Sequence, residues 1–308
     1  MSTASGADRD GPDLSHLHPS ARDAALLGLE ERLPHLRADR WIGYTRAATA
    51  LQRLETLLDW PRKQRMPNLL IIGPTNNGKS MLIEKFRRDH PEAAKDGYIA
   101  RPVVVMQTPS TPSVTRFYTN LVAALGMEAR PRSQAAELEQ LTQVLFKESS
   151  TRMLVIDELH NMLAAPGNVR QDFLNLLRYL GNQMRIPLVG IGTREAYLAV
   201  RSDDQLENRF QPMVLPRWEP DDPETLALLA SFAASLPLQR PSTIATPAMA
   251  RYLLDRSEGT IGELASLLTA AATVAVSSGE EAITADTLAT AEYLGPTERR
   301  RTFERALQ

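Results

Sequence analysis

The chain has 308 residues, 43% of them apolar and 23% charged, enough for one large domain or two modest ones around a buried core. It contains no cysteine, which excludes disulfide staples and Cys-ligated zinc and fits a reducing compartment, and its five histidines show no ligand spacing. A formal charge of −2 excludes a protein that coats nucleic acid over its whole surface, so any such contact must come from local patches.

Residues 1–12 are small, polar and acidic, without the basic start and apolar stretch of a signal peptide. No apolar run approaches the roughly 20 residues needed to cross a bilayer, so a cytoplasmic protein with no membrane partner is expected. Residues 1–20 read as a flexible arm rich in Ser, Asp, Gly and Pro, and a helix is predicted over 21–33, ended by Pro34. Thr45 is a candidate cap for a helix running to Trp60, with Ala47, Leu51, Leu54 and Leu58 on one face and Pro61 as its stop.

Five short apolar runs follow, at 68–73, 102–107, 152–157, 187–192 and 212–215. Most are continuously apolar, as parallel strands covered on both faces require. Helix-like segments at 80–90, 113–125, 134–148 and 169–183 separate the first four, so a parallel sheet with crossover helices is expected. After Trp218 the pattern is helical only, at 224–236, 247–257, 261–277 and 285–294, opened by the turn signal Pro220-Asp221-Asp222-Pro223. The predicted organisation is an arm and helix at 1–35, an α/β domain at 36–218, a helical domain at 219–295 and an Arg-rich tail at 296–308.

Gly73-Pro74-Thr75-Asn76-Asn77-Gly78-Lys79-Ser80 matches G-x-x-x-x-G-K-[ST], with an apolar run before it and a helix, beginning with Met81, after it. Glycines let backbone N–H groups wrap phosphates, and the helix N-terminus favours negative charge. Lys79 is suited to the β- and γ-phosphates and Ser80 to Mg²⁺. The run 153–156 ends in Asp157 and Glu158; a parallel strand delivers both to the ligand-binding edge of the sheet. Asp157 then completes the Mg²⁺ shell, and Glu158 polarises an attacking water. The run at 102–107, between the phosphate-loop strand and the acidic strand, is the mark of an additional-strand P-loop ATPase.

With these motifs in this order, residues 41–294 resemble the AAA+ class and, within it, the TniB/TnsC-like transposition ATPases; the stretch from Arg40-Trp41-Ile42-Gly43-Tyr44 to Ser80 carries the resemblance most strongly. It implies an AAA+ P-loop core with a five-stranded parallel sheet flanked by helices, followed by a small all-helical lid. The implied ligands are ATP and Mg²⁺, with residues 73–80 and Met81 as Walker A and Asp157–Glu158 as Walker B. Thr193 falls where the class has its sensor-1 residue, with a helix N-cap as the alternative. Arg209 resembles an arginine finger, with a surface ion pair to Asp203 or Glu207 as the alternative; Arg194 and Arg201 are other candidate fingers. Ile42 and Tyr44 match positions that border the adenine, or are ordinary core. One departure stands out: the sensor-2 slot in the lid holds Glu263 or a neighbour instead of arginine, which implies slow or partner-stimulated turnover.

The same resemblance implies double-stranded DNA bound without sequence specificity, a DDE-type transposase as partner, self-assembly into an oligomer or helical filament, and a nucleoid-associated place in a bacterial cytoplasm. Arg62, Lys63 and Arg65, and Arg116 with Tyr118, are candidate phosphate-contacting patches, with solvated surface charge as the alternative. Two other functions fit the core motifs: a helicase loader or other DNA-remodelling AAA+ ATPase, and a nucleotide-gated adaptor with negligible hydrolysis.

Overall fold

The structure is a computed structural model and describes residues 12–95, 97–163 and 167–307. The chain divides into two compact units, one of residues 46–216 and the other formed jointly by the segments up to 45 and from 217 onward.

Residues 46–216 form an α/β unit. Its main strands are β1 (Asn68–Ile72), β4 (Val103–Gln107), β5 (Met153–Asp157), β6 (Leu188–Gly192) and β7 (Phe210–Val214), with a short ribbon of β2 (Ala93–Lys95) and β3 (Tyr98–Ala100) after β1. The main strands pair in parallel in the order β4-β5-β6-β1-β7, so the five predicted runs are the five strands of one sheet. Every residue of β1 and β6 is buried, which is why those runs are apolar without alternation. β7 lies at the edge and exposes Gln211, Pro212 and Val214; proline, which lacks an N–H, is tolerated there. The antiparallel β2–β3 ribbon was not predicted, because three-residue strands are too short to carry a period.

Crossover helices Lys79–Asp89, Val114–Ala124, Ala135–Glu148 and Gly167–Met184 follow the sequence expectation closely. Phe117, Leu121, Phe146, Phe173 and Leu177 from these helices bury against Leu70, Leu154 and Ile156 of the sheet. The Phe117 and Phe173 rings meet edge to face with centroids 5.4 Å apart. In register, Ile72 lies opposite both Gly192 and Val214, and Gln107 opposite Asp157, so the strands end together along one edge.

The second unit is helical: Pro19–Ala25, Leu29–Arg37, Pro223–Ser235, Pro247–Arg256, Ile261–Ser278, Ala285–Thr290 and Pro296–Ala306. Asp222 caps Pro223–Ser235 by accepting from Glu224 N at 2.9 Å, and Thr246 caps Pro247–Arg256 by accepting from Met249 N at 3.3 Å. Ile261–Ser278 is the central helix, with Leu264, Leu267, Leu268, Ala271 and Ala275 buried in its core. Against the sequence expectation, this helix is long and apolar enough to cross a membrane by length and composition alone; here that apolarity is used for packing.

Three boundaries differ from those expected. Helix 21–33 is two helices broken around Gly28, and Pro34 lies inside the second instead of ending it. Pro34 has no N–H to donate to the Glu30 carbonyl, and both residues are exposed. Residues 36–45 join the helical unit, where Leu36 and Ile42 pack with Trp218 and Leu228, and not the α/β unit. The Arg-rich tail forms the helix Pro296–Ala306, with Thr297 N donating to Glu258 Oε1 at 2.7 Å and Arg299 Nη2 to Glu263 Oε1 at 2.5 Å.

Asn68 is a buried polar residue in the sheet; its Oδ1 accepts from Leu188 N at 3.0 Å and so ties the starts of β1 and β6. Asn68→Ala orphans that amide and is expected to lower stability by about 1–3 kcal/mol, read as a shift in the urea midpoint with unchanged slope.

Candidate functional site

Within the α/β unit, the phosphate-loop residues, Asp157, Glu158 and Thr193 all follow carboxyl ends of parallel strands, at one edge of the sheet. β1 stops at Ile72, and Gly73 N donates to Gly192 O at 3.2 Å. A Cβ on Gly73 would stand 2.6 Å from the backbone oxygen of Leu215, so only glycine fits. The loop turns through Asn76 (φ 60°) and Gly78 (φ 80°) into the helix Lys79–Asp89. Asn77 is buried, and its Nδ2 donates to Leu215 O and Pro216 O, each at 2.9 Å. This pins the loop to the segment that leaves β7. Thr75 and Asn76 are exposed, while Pro74, Gly78 and Met81 are half-buried.

Lys79 is buried, with Nζ donating to Gly73 O at 2.9 Å and Pro74 O at 2.6 Å. Burial pushes its ammonium pKa down, and the carboxylates of Glu158 and Asp157 pull it back up. Ser80 Oγ donates to Asp157 Oδ2 at 2.8 Å, and Glu158 N donates to Asp157 Oδ1 at 2.7 Å. The two Walker motifs are thus in direct contact. Glu158 adopts φ 54°, in the left-handed region, which costs about 1–2 kcal/mol for a non-glycine residue. Its carbonyl is held by Thr108 Oγ1 at 2.5 Å and Asn161 N at 2.9 Å. Its Oε2 lies 3.0 Å from His160 Nε2.

Thr193 is the residue before the helix Arg194–Arg201, but its side chain makes no cap; the hydroxyl donates to Glu195 Oε2 instead. Arg209 stands at the opposite edge of the sheet, where its carbonyl accepts from Asn68 N at 2.9 Å. The full length of β1, roughly 16 Å, separates it from the phosphate loop of its own chain. The two ion pairs considered for it are taken: Asp203 pairs with Arg178 and Glu207 with Arg201, both at 3.5 Å. Arg209 Nη1 donates to Asn182 Oδ1 at 2.8 Å, and among the described residues it pairs with no carboxylate. Partial burial and the nearby cations Arg65 and Arg178 lower its pKa. Arg194 is exposed.

Ile42 and Tyr44 lie in the helical unit, Ile42 in its core and Tyr44 edge-on to Trp218 with centroids 5.2 Å apart. Glu263 is buried there, accepting from Tyr293 Oη at 2.9 Å and from Arg299. Tyr118 is no part of a surface patch: it is buried, donating to Glu139 at 3.3 Å. Arg62, Lys63 and Arg65 are exposed, and Lys63 lies over the Trp60 ring. Sequence reasoning missed Thr108 and His160. The only signal for His160 was its place two residues after Glu158; Thr108 had none beyond following an apolar strand.

The fold and the contact between its two motifs define a P-loop nucleotide-binding protein of the AAA+ class. A family profile described as Bacterial TniB protein matches residues 32–220, more than half of the chain, which therefore belongs to the TniB family. Among solved structures it is similar to the ORC1 protein of Aeropyrum pernix in complex with DNA, at 17% identity and TM-score 0.58, over 84% of this chain and 68% of that one. It is also similar to the ORC2 protein of the same organism, solved as ADPNP-ADP complexes (16%, TM-score 0.59, 83% and 70%), and to Cdc6p of Pyrobaculum aerophilum (16%, TM-score 0.56, 81% and 68%). In sequence it is 24% identical over 198 residues to the chaperone ClpB of Meiothermus ruber, covering 61% of this chain and 21% of that chaperone's length.

Asn77→Ala would release the loop from Leu215 and Pro216 and leave the buried Leu215 carbonyl short of a donor. The expected result is a loss of about 1–3 kcal/mol in stability together with weaker binding of a fluorescent ATP analogue, measured by denaturation and by titration.

Proposed function

We propose that this protein is an ATPase that assembles on double-stranded DNA when ATP is bound, recruits a DDE-type transposase to that DNA, and uses hydrolysis to take the assembly apart. The observation that carries this reading is the contact of Ser80 with Asp157 beside Lys79 and Glu158. Lys79 binds the β- and γ-phosphates together with the backbone N–H groups of 73–80 and Met81. Ser80 and Asp157 offer adjoining hard oxygen donors, 2.8 Å apart, which suit Mg²⁺ with the remaining positions filled by phosphate and water. A bound Mg²⁺ supplies charge neutralisation on the transferring phosphoryl. Glu158 orients and deprotonates the attacking water, and Thr193 contacts the γ-phosphate or that water. Ile42 and Tyr44 match the positions that border the base in this class, with a place in the core of the helical unit as the alternative.

Arg209 acts on the nucleotide of a neighbouring protomer, because it is a strand's length from its own loop and has no carboxylate partner among the described residues. Self-assembly is therefore part of the catalytic mechanism. The TniB family supports the transposition role, and the DNA in the similar ORC1 structure supports a DNA partner. Arg62, Lys63 and Arg65 are the surface cations suited to DNA phosphates, a contact that is salt-sensitive and blind to sequence. Turnover is slow or partner-stimulated, since the stretch that matches the sensor-2 position holds Glu263 or a neighbour instead of arginine, and Glu263 itself is bound to Tyr293 and Arg299.

DNA co-sedimentation with ATP, ADP or no nucleotide tests the proposal: retention should depend on ATP, and equal retention in all three states would remove it. Glu158→Gln is expected to cut turnover about 100-fold or more while keeping ATP binding, and Lys79→Ala to lose binding. Arg209→Ala alone should be inactive with ATP still bound. Mixed with Glu158→Gln it should regain part of its activity, because the two variants together rebuild intact interfaces; no recovery on mixing would exclude action across a subunit boundary.

A further inference from the structure

His160 has no part in the function proposed above. It opens the short helix His160–Leu163, one residue beyond the acidic pair. The preceding Leu159 is fully buried, and its N–H donates to Ile191 O at 2.8 Å, which fixes the turn against β6. The imidazole is therefore held from behind. A Cβ on Gly192 would lie 3.8 Å from His160 Nδ1, so the ring packs close against that strand.

The two ring nitrogens have different surroundings. Nε2 is 3.0 Å from Glu158 Oε2. Nδ1 is buried and has no hydrogen-bond partner among the described residues. An enclosed lone pair is tolerated better than an orphaned N–H, so the proton belongs on Nε2, directed at the carboxylate. Glu158 is also fixed from its backbone side, through Thr108 and Asn161. With Oε2 engaged, Oε1 keeps its lone pairs for another group.

We infer that His160 is a positioning residue for hydrolysis: its Nε2–H grips one oxygen of Glu158 so that the other is presented to the attacking water. This rests on Glu158 being the base. It predicts a defect in turnover and not in nucleotide binding, since His160 touches the carboxylate and none of the phosphate-loop contacts described.

The experiment measures steady-state ATPase activity of the full chain with DNA, alongside titration with a fluorescent ATP analogue and thermal melting. His160→Ala should lower kcat about tenfold or more with KM and affinity nearly unchanged. His160→Gln, which restores an N–H donor, should recover most of the rate. If alanine loosens the packing at Gly192, His160→Leu refills the space without a donor and should show the same loss. Unchanged or raised kcat in the alanine and leucine variants would overturn the inference, as would a glutamine variant as slow as alanine. Glu158→Gln separates the two claims: if it stays fully active, the base assignment itself fails. If it is inactive while His160→Ala turns over normally, only the positioning role fails.

Discussion

The hydrogen bond from Ser80 to Asp157 joins two parts of the chain that lie 77 positions apart in sequence. It forms only if β1 and β5 run parallel and end at the same edge, and β6 must pass between them without blocking the approach. β6 carries glycines where neighbouring side chains close in on it. A Cβ at Gly190 would press within 2.9 Å of Leu159 and Leu70, and one at Gly192 within 2.7 Å of Ala196. The order β4-β5-β6-β1-β7 and the apolar packing on the sheet can be read as the apparatus that holds these two oxygen-bearing groups together.

Charge balance follows from that geometry. A buried ammonium is costly unless something compensates it. Lys79 is compensated by two loop carbonyls and by the field of Asp157 and Glu158. The carboxylates are tied in turn: Asp157 by Ser80 and a backbone amide, Glu158 by His160. The positive φ of Glu158 adds local strain, which the bonds to its carbonyl counter. The site is thus tied at several backbone and side-chain atoms and specific in which oxygen atoms it leaves unengaged.

The sheet was legible because fully covered parallel strands need unbroken apolar runs, and five such runs in 308 residues leave few alternatives. The phosphate loop was legible because its chemistry demands particular residues at fixed spacing. What escaped depended on contacts distant in sequence. Nothing local marks residues 36–45 as partners of helices beyond 217, or Tyr118 as core; a phenol hydroxyl suits a surface, and here it is buried with Glu139 as its acceptor. Pro34 misled because a proline disfavours a helix interior without forbidding it, and this helix runs on past it to Arg37. His160 is another such case: its role is defined by which nitrogen faces which neighbour, and that is a three-dimensional property.

The helical unit is discontinuous, and this bears on how the protein is made. Residues before 46 find core partners beyond residue 217: Arg32 bonds Glu281 at 2.6 Å across 249 positions, and His18 N bonds Ala234 O at 2.8 Å. During synthesis residues 18–42 therefore lack their core until the helices after residue 217 emerge, while residues 46–216 have all their sheet partners sooner. A fragment starting at residue 46 would leave the later helices without Leu36 and Ile42, two members of their buried core.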